Sequence, residues 1–119
     1  MSVSIQQLSV NPRHLRRGDN NVRVSFSGYV TQSKDNPVML TFSVASDDAN
    51  VFILNEDGLQ VKQYSWSQDL PGIEAELFRP LVIRIIDVNI SPYYCPVGLH
   101  VISADRHSTD YAPGSILYS

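Results

Sequence analysis

The side chains able to do chemistry in this sequence are few, and their spacing suits little of it. His14, His100 and His107 lack the intervals at which a helix or loop presents ligands to zinc. Cys95 is the one thiol, with no second cysteine to pair with and no nearby histidine in a nucleophile signature, so it reads as a small core or joint residue. No G-x-S-x-G elbow, H-E-x-x-H pair or glycine-rich phosphate loop occurs. Asp47, Asp48, Asn50, Glu56 and Asp57 bracket a short apolar run and could offer oxygens to calcium. Their spacing is not that of an EF-hand loop, and solvated turn carboxylates are the plainer reading. The expectation is a protein without a catalytic site, a metal or an obligatory cofactor.

Binding chemistry is better represented. Arg13, His14, Arg16, Arg17 and Arg23 form a local basic cluster. No aromatic side chains are interleaved with them for bases to stack on, and the net charge is -3, so the cluster predicts docking against an acidic protein neighbour rather than nucleic acid. Arg17-Gly18-Asp19 also spells the integrin-recognition tripeptide, although Gly-Asp is equally what a tight turn before a strand uses. Tyr64 and Trp66 share one face of a predicted strand and form a candidate platform for a sugar ring. Tyr93 and Tyr94 join Arg13, Arg16 and Arg17 as candidate protein contacts.

Composition dictates the elements that must carry these residues. Nine Asp stand against three Glu and seven Arg against two Lys; Asp forms turns, whereas Glu and Lys favour helices, so the imbalance predicts strands and loops. At 119 residues, 43% of them hydrophobic, the chain predicts one soluble domain over residues 1–119 with a core that needs no disulfide. No apolar run approaches the ~20 residues that cross a bilayer, which predicts no membrane partner. No basic and apolar leader opens the chain, and that predicts a cytoplasmic or virion assembly rather than export.

Alternation places the strands. Residues 3–10 predict an edge strand with a bulge or change of sheet near Gln6 and Gln7. Val22, Val24, Phe26, Gly28 and Val30 share one face of a second strand, and Val38, Leu40, Phe42 and Val44 one face of a third, the two forming a hairpin across residues 33–37. Asp57-Gly58 predicts a hairpin that folds residues 59–66 back onto 51–54. Residues 67–78 are the one place for a short helical turn, around Ile73 and Leu77. Two further core strands lie in residues 80–104, joined through Pro92, Pro96 and Gly98, and a last strand lies around Ile116 and Tyr118.

A first strand ending in Pro12 and a Gly18-Asp19 turn, an alternating second strand, and a late strand carrying Pro96, Gly98, Val101 and Ala104 resemble bacterial and phage immunoglobulin-like domains. The likeness covers most of the chain but lacks the paired cysteines and the tryptophan between them of antibody domains. It implies an all-β, immunoglobulin-like antiparallel β-sandwich of seven to nine strands with at most one short helix, serving adhesion, display or assembly. The core expected of it comprises Val22, Val24, Phe26, Leu40, Phe42, Val44, Ile83, Ile85, Leu99 and Val101.

The run from Leu81 to Ile90 is apolar on both faces, with Leu81, Ile83 and Ile85 on one and Val82, Ile86, Val88 and Ile90 on the other. A two-layer sandwich covers only one face of a strand, so either residues 67–78 or another subunit must cover the second. The expected function is therefore a non-enzymatic structural subunit of a larger assembly, a homo-oligomer of the kind that decorates a phage or virus shell or tail. The alternative is an immunoglobulin-like adhesion or carbohydrate-binding module.

Overall fold

The structure, a computed structural model, describes residues 3–18, 21–31, 37–70 and 74–119, the last stretch without the side chains of 74 and 75. These residues form ten strands: β1 (Ser4–Asn11), β2 (His14–Leu15), β3 (Asn21–Thr31), β4 (Val38–Val44), β5 (Val51–Leu54), β6 (Gln60–Val61), β7 (Gln63–Gln68), β8 (Glu74–Ile85), β9 (Tyr93–Ile102) and β10 (Thr109–Tyr118). One sheet has the order β1-β3-β8-β5-β6 and the other β2-β10-β9-β4-β7. Every ladder is antiparallel except the short one of β2 along β10. This is the immunoglobulin-like sandwich expected. The count exceeds nine by one because β2 and β6, two residues each, are too short to show a period.

The core lies between the sheets because alternation sends every second side chain inward. Val24, Phe26 and Val30 of β3, Leu40 and Phe42 of β4, Leu77, Ile83 and Ile85 of β8, and Leu99 and Val101 of β9 are all buried. Phe26 and Phe42 stack across the two layers, 5.1 Å between ring centroids and 5° from parallel. Of the ten core residues expected, Val22 alone is only half-buried, at the margin of the cluster.

The bulge expected in the first strand is present. The ladder of β1 with β3 slips between Ile5 and Gln7. One extra residue reverses the alternation, so Val3 and Ile5 before it and Leu8 and Val10 after it all turn toward the core. Gly28 pairs Leu8 just past this bulge, where a methyl group on its Cα would lie 2.2 Å from the Gln7 carbonyl oxygen.

Several expectations are corrected. β3 and β4 do not form a hairpin, because they lie in different sheets; residues 32–36 between them fall outside the described residues. β8 and β9, the two core strands placed in residues 80–104, lie in opposite sheets. Where a helical turn was expected, β7 runs on to Gln68 and β8 starts at Glu74, with 71–73 outside the described residues. Among the described residues no helix is long and apolar enough to cross a membrane. β8 stops at Ile85, and Asp87 takes a left-handed conformation at φ 56°. The Asp-Gly hairpin forms with Gly58 at φ 76°, but β6 pairs β5 for only two residues before β7 crosses to β4. β10 is much longer than the strand expected around Ile116 and Tyr118.

Pro96 and Gly98 were expected in a joint and instead lie inside β9. The ladder of β4 with β9 ends at Val97, so Pro96 has a neighbouring strand on the β10 side only. Pro80 lies just beyond the β5 ladder, which covers residues 82–85 of β8, and Pro113 lies beyond the β2 ladder on β10. Each strand proline thus sits on a stretch that is an edge, the position where a missing N–H costs no ladder bond.

Candidate interaction surfaces

The first candidate region gathers residues distant in sequence. β2 runs beside the end of β10, which runs beside the start of β9, so His14, Leu117 and Tyr94 form one outward row and Leu15, Tyr118 and Tyr93 an inward row. Arg13, Arg16, Arg17, Tyr93 and Tyr94 are therefore brought to one end of the sandwich. Their roles differ. Arg17 donates to the carbonyl oxygens of Val88, at 2.7 Å, and of Ile90, and its guanidinium stands 5.4 Å from the Tyr118 ring centroid. Its backbone N–H bonds Ser119, and the Gly18 N–H bonds the Tyr118 hydroxyl. Arg17 thus ties β2, β10 and the segment after β8 together. Arg13 and Arg16 are exposed, as is Tyr94, whereas Tyr93 is half-buried. Gly18 has φ 94°, a conformation glycine adopts freely; Asp19 of the tripeptide lies outside the described residues.

The second region is the flank where the edge strand β7 meets the part of β8 that precedes its ladder with β5. Tyr64 and Trp66 do share a face, but that face turns inward: Trp66 packs 5.5 Å from Phe26, and the two rings lie 6.0 Å apart. Arg79 lies across them, 5.3 Å from the Tyr64 centroid and 5.5 Å from that of Trp66. It donates to the Tyr64 hydroxyl at 2.6 Å, which in turn donates to Glu56. That hydroxyl, then a backbone N–H and the charge of Arg79, hold the Glu56 carboxyl below the usual carboxylate range. Tyr64 and Arg79 line a cleft of about 310 Å³ together with Arg23, Leu54, Glu56, Pro80 and Val82, whereas Trp66 packs against Phe26 instead of lining it, so the two rings do not form one open platform. Arg79 was missed in the sequence because its inward position shows only once the strand is traced back through Leu77.

The acidic turns hold no cation-binding cluster among the described residues. The Lys62 ammonium supplies the charge instead: it donates to the carbonyls of Asp48 and Val51, the latter at 2.6 Å, and stands 4.2 Å from the centroid of Phe52. Asp48 accepts the Asn50 N–H, and the Asn50 amide donates to Ile86, closing the turn with its own groups.

Cys95 is buried in β9, as expected. Burial, helped by the charge of Asp48, pushes its thiol up to about 11. Below the ordinary thiol value of 9.0 it is neutral whether folded or not; between there and about 11 only the unfolded chain loses the proton. Stability is therefore expected to fall as pH rises through that window and to stay level across it in a Cys95→Ala variant, as urea midpoints at successive pH values will show. A midpoint that falls equally in both proteins would assign the alkaline loss to other groups.

The third region is the pair of outer sheet faces. On the first sheet, Ser27 pairs Phe78, Ser25 pairs Pro80 and Arg23 pairs Val82. Phe78 is 64% exposed, and Pro80 is also exposed. With Asn11, Pro12, Arg23 and Ser25 they line a shallow groove of about 440 Å³. The second apolar face anticipated for β8 thus exists, but it lies at Phe78–Val82, earlier in the strand; of the residues expected there, Ile86 and Val88 are half-buried and Ile90 is exposed beyond the strand end. On the second sheet, Tyr111 lies over Gly98: a methyl group on that glycine would meet the phenol oxygen at 2.0 Å.

No protein-family model matches the sequence, and no curated protein matches it. Solved structures do match the fold. A glycosyl hydrolase family 2 member from Bacteroides cellulosilyticus matches 97% of this chain with a TM-score of 0.60 at 11% identity; the chain spans 15% of its length. A FixG-related protein from Vibrio parahaemolyticus matches 100% of this chain over 98% of its own, at a TM-score of 0.57 and 8% identity. A chain of the CaDoc0917–CaCohA2 complex matches 99% of this chain over its full length, at 0.51 and 11%. Such identities establish a shared β-rich, immunoglobulin-like architecture and nothing of activity.

Proposed function

We propose that this domain is a non-enzymatic structural module that docks against other protein subunits, and more finely that it is a decoration or tail subunit of a phage or virus particle, assembled in the cytoplasm without nucleic acid or membrane contact. The observation that carries the reading is the exposed strip on the outer face of β8, where Phe78 and Pro80 stand over Arg23. Isolated exposed apolar residues are ordinary, but an aromatic ring beside two prolines and an arginine has the composition of an interface centre. The occupant it suits is an apolar segment carrying a carboxylate for Arg23. Supporting the non-enzymatic part, the thiol is buried and neutral, and the Tyr64–Glu56 pair is held by Arg79 rather than poised toward a substrate. The adhesion or carbohydrate-binding alternative loses its platform, because Tyr64 and Trp66 face the core.

The test is crosslinking mass spectrometry on the protein in its native source. A defined neighbouring polypeptide is expected to crosslink beside Phe78, and Phe78→Asp is expected to abolish the contact while leaving the unfolding free energy from urea titration within about 0.5 kcal/mol of the parent. Crosslinks that persist unchanged in Phe78→Asp, or none at all, would overturn the proposal.

A further inference from the structure

We infer that the outer face of the second sheet is where a second copy of this chain docks, face to face about a two-fold axis. The outward residues of β4, β7, β9 and β10 fall into register, with Tyr111, His100, Thr41 and Ser65 as the middle row and Met39 and Tyr94 toward opposite ends. None of the outward residues of these four strands is Asp, Glu, Lys or Arg, on a chain with 12 acidic and 9 basic residues. The first sheet differs, since its outer face carries Arg23, Glu76 and Arg84.

The absence of charge selects the occupant. In a two-fold contact each side chain near the axis meets its own counterpart, so a charge there would face a like charge. A face whose four strands carry no outward charge, with Arg106 only at its Met39 end and Arg13 and Arg16 only beyond its Tyr94 end, fits its own copy and offers a charged partner little to pair with near the centre. Elsewhere two copies of a chain with net charge -3 repel, which leaves this face as the place where approach is least opposed.

The face also has anchors. Tyr111 is 54% exposed, Tyr94 62% and Met39 41%. The Tyr111 phenol lies along the sheet on Gly98, so its ring is presented flat across the face. With strands about 4.8 Å apart and residues about 3.3 Å along them, the face projects roughly 500 Å² per copy, about 1,000 Å² for the pair, the area a specific interface has to reach.

The test is sedimentation equilibrium of the full chain and of two variants at the centre of the face, Thr41→Lys and Thr41→Glu. The parent is expected to dimerise as its concentration is raised toward millimolar. Each variant alone is expected to dissociate at least about 100-fold more readily, because two like charges meet at the axis. An equimolar mixture of the two variants is expected to associate again, which misfolded variants could not do. A parent that stays monomeric, a variant that dimerises like the parent, or a mixture no more associated than its parts overturns the inference. Phe78→Asp lies on the other sheet and is expected to leave this dimer intact, so the two proposals fail separately.

Discussion

Placing a methyl group on Gly28 is expected to detach the first strand from the sandwich. The new carbon would lie 2.2 Å from the Gln7 carbonyl oxygen and 3.3 Å from its carbon, and both belong to backbone. No side-chain rotation relieves such a contact, so either β1 moves off β3 or β3 bends and loses its ladder to β8. A cost of roughly 2–3 kcal/mol follows, the upper part of the range for overpacking a filled site. The loss should be local at first. β1 is also held by the Ile5 N–H to Asp110 at 2.7 Å and the Val3 N–H to Ser108 at 2.9 Å, and hydrogen exchange should show these amides opening in Gly28→Ala before those of β4 or β9. Gly98→Ala is the contrast. The atoms its methyl would meet are those of the Tyr111 ring, which can swing into solvent, so the fold should hold while the flat phenol is lost. Equal costs at the two glycines would mean that the bulge gives way easily.

The difference between those glycines was not legible in the sequence, and the reason generalises. Alternation is local: a run such as Val22 to Val30 states its own inward face, and β3 and β4 could both be read from it. Sheet membership is not local. Nothing in residues 33–37 says whether the chain turns back within one sheet or crosses to the other, and the hairpin expected there is in fact a crossover. Edges are not local either. Pro96 looked like an interruption because a proline in a strand is tolerated only where a neighbour is missing, and the missing neighbour is set by where β4 ends, as that of Pro80 is set by where β5 ends.

The candidate site follows the same division. Arg13, Arg16, Arg17, Tyr93 and Tyr94 were singled out by residue type, and the fold does gather them. That Arg17 is a brace was hidden, because the carbonyls it holds are 71 and 73 residues away. Tyr64 and Trp66 were placed correctly on one face, but which face depended on β7 pairing with β4, a contact their own sequence does not specify.

Truncating Phe42 to alanine is expected to have the largest effect of any substitution considered. The ring is wholly buried in β4 and bridges the layers by stacking on Phe26, which also touches Trp66 at the β7 edge. Removing a ring from such a place loses its transfer energy and leaves a cavity between two stiff sheets that cannot close on it, so about 3–5 kcal/mol is expected. For a domain of this size, total stability is on the order of 5–15 kcal/mol, so the variant keeps a fraction of the parent's margin. Part of the loss belongs to the stack itself: a double-mutant cycle of Phe26→Ala and Phe42→Ala should return a coupling of about 0.5–1.5 kcal/mol. Tyr94→Ala, at the same ring size but on the outer face, should change the unfolding free energy from urea titration by no more than about 0.5 kcal/mol. If Phe42→Ala cost as little as Tyr94→Ala, the two sheets could not be held together at this stack, and the inward row that orients Tyr64, Trp66 and Arg79 would lose its foundation.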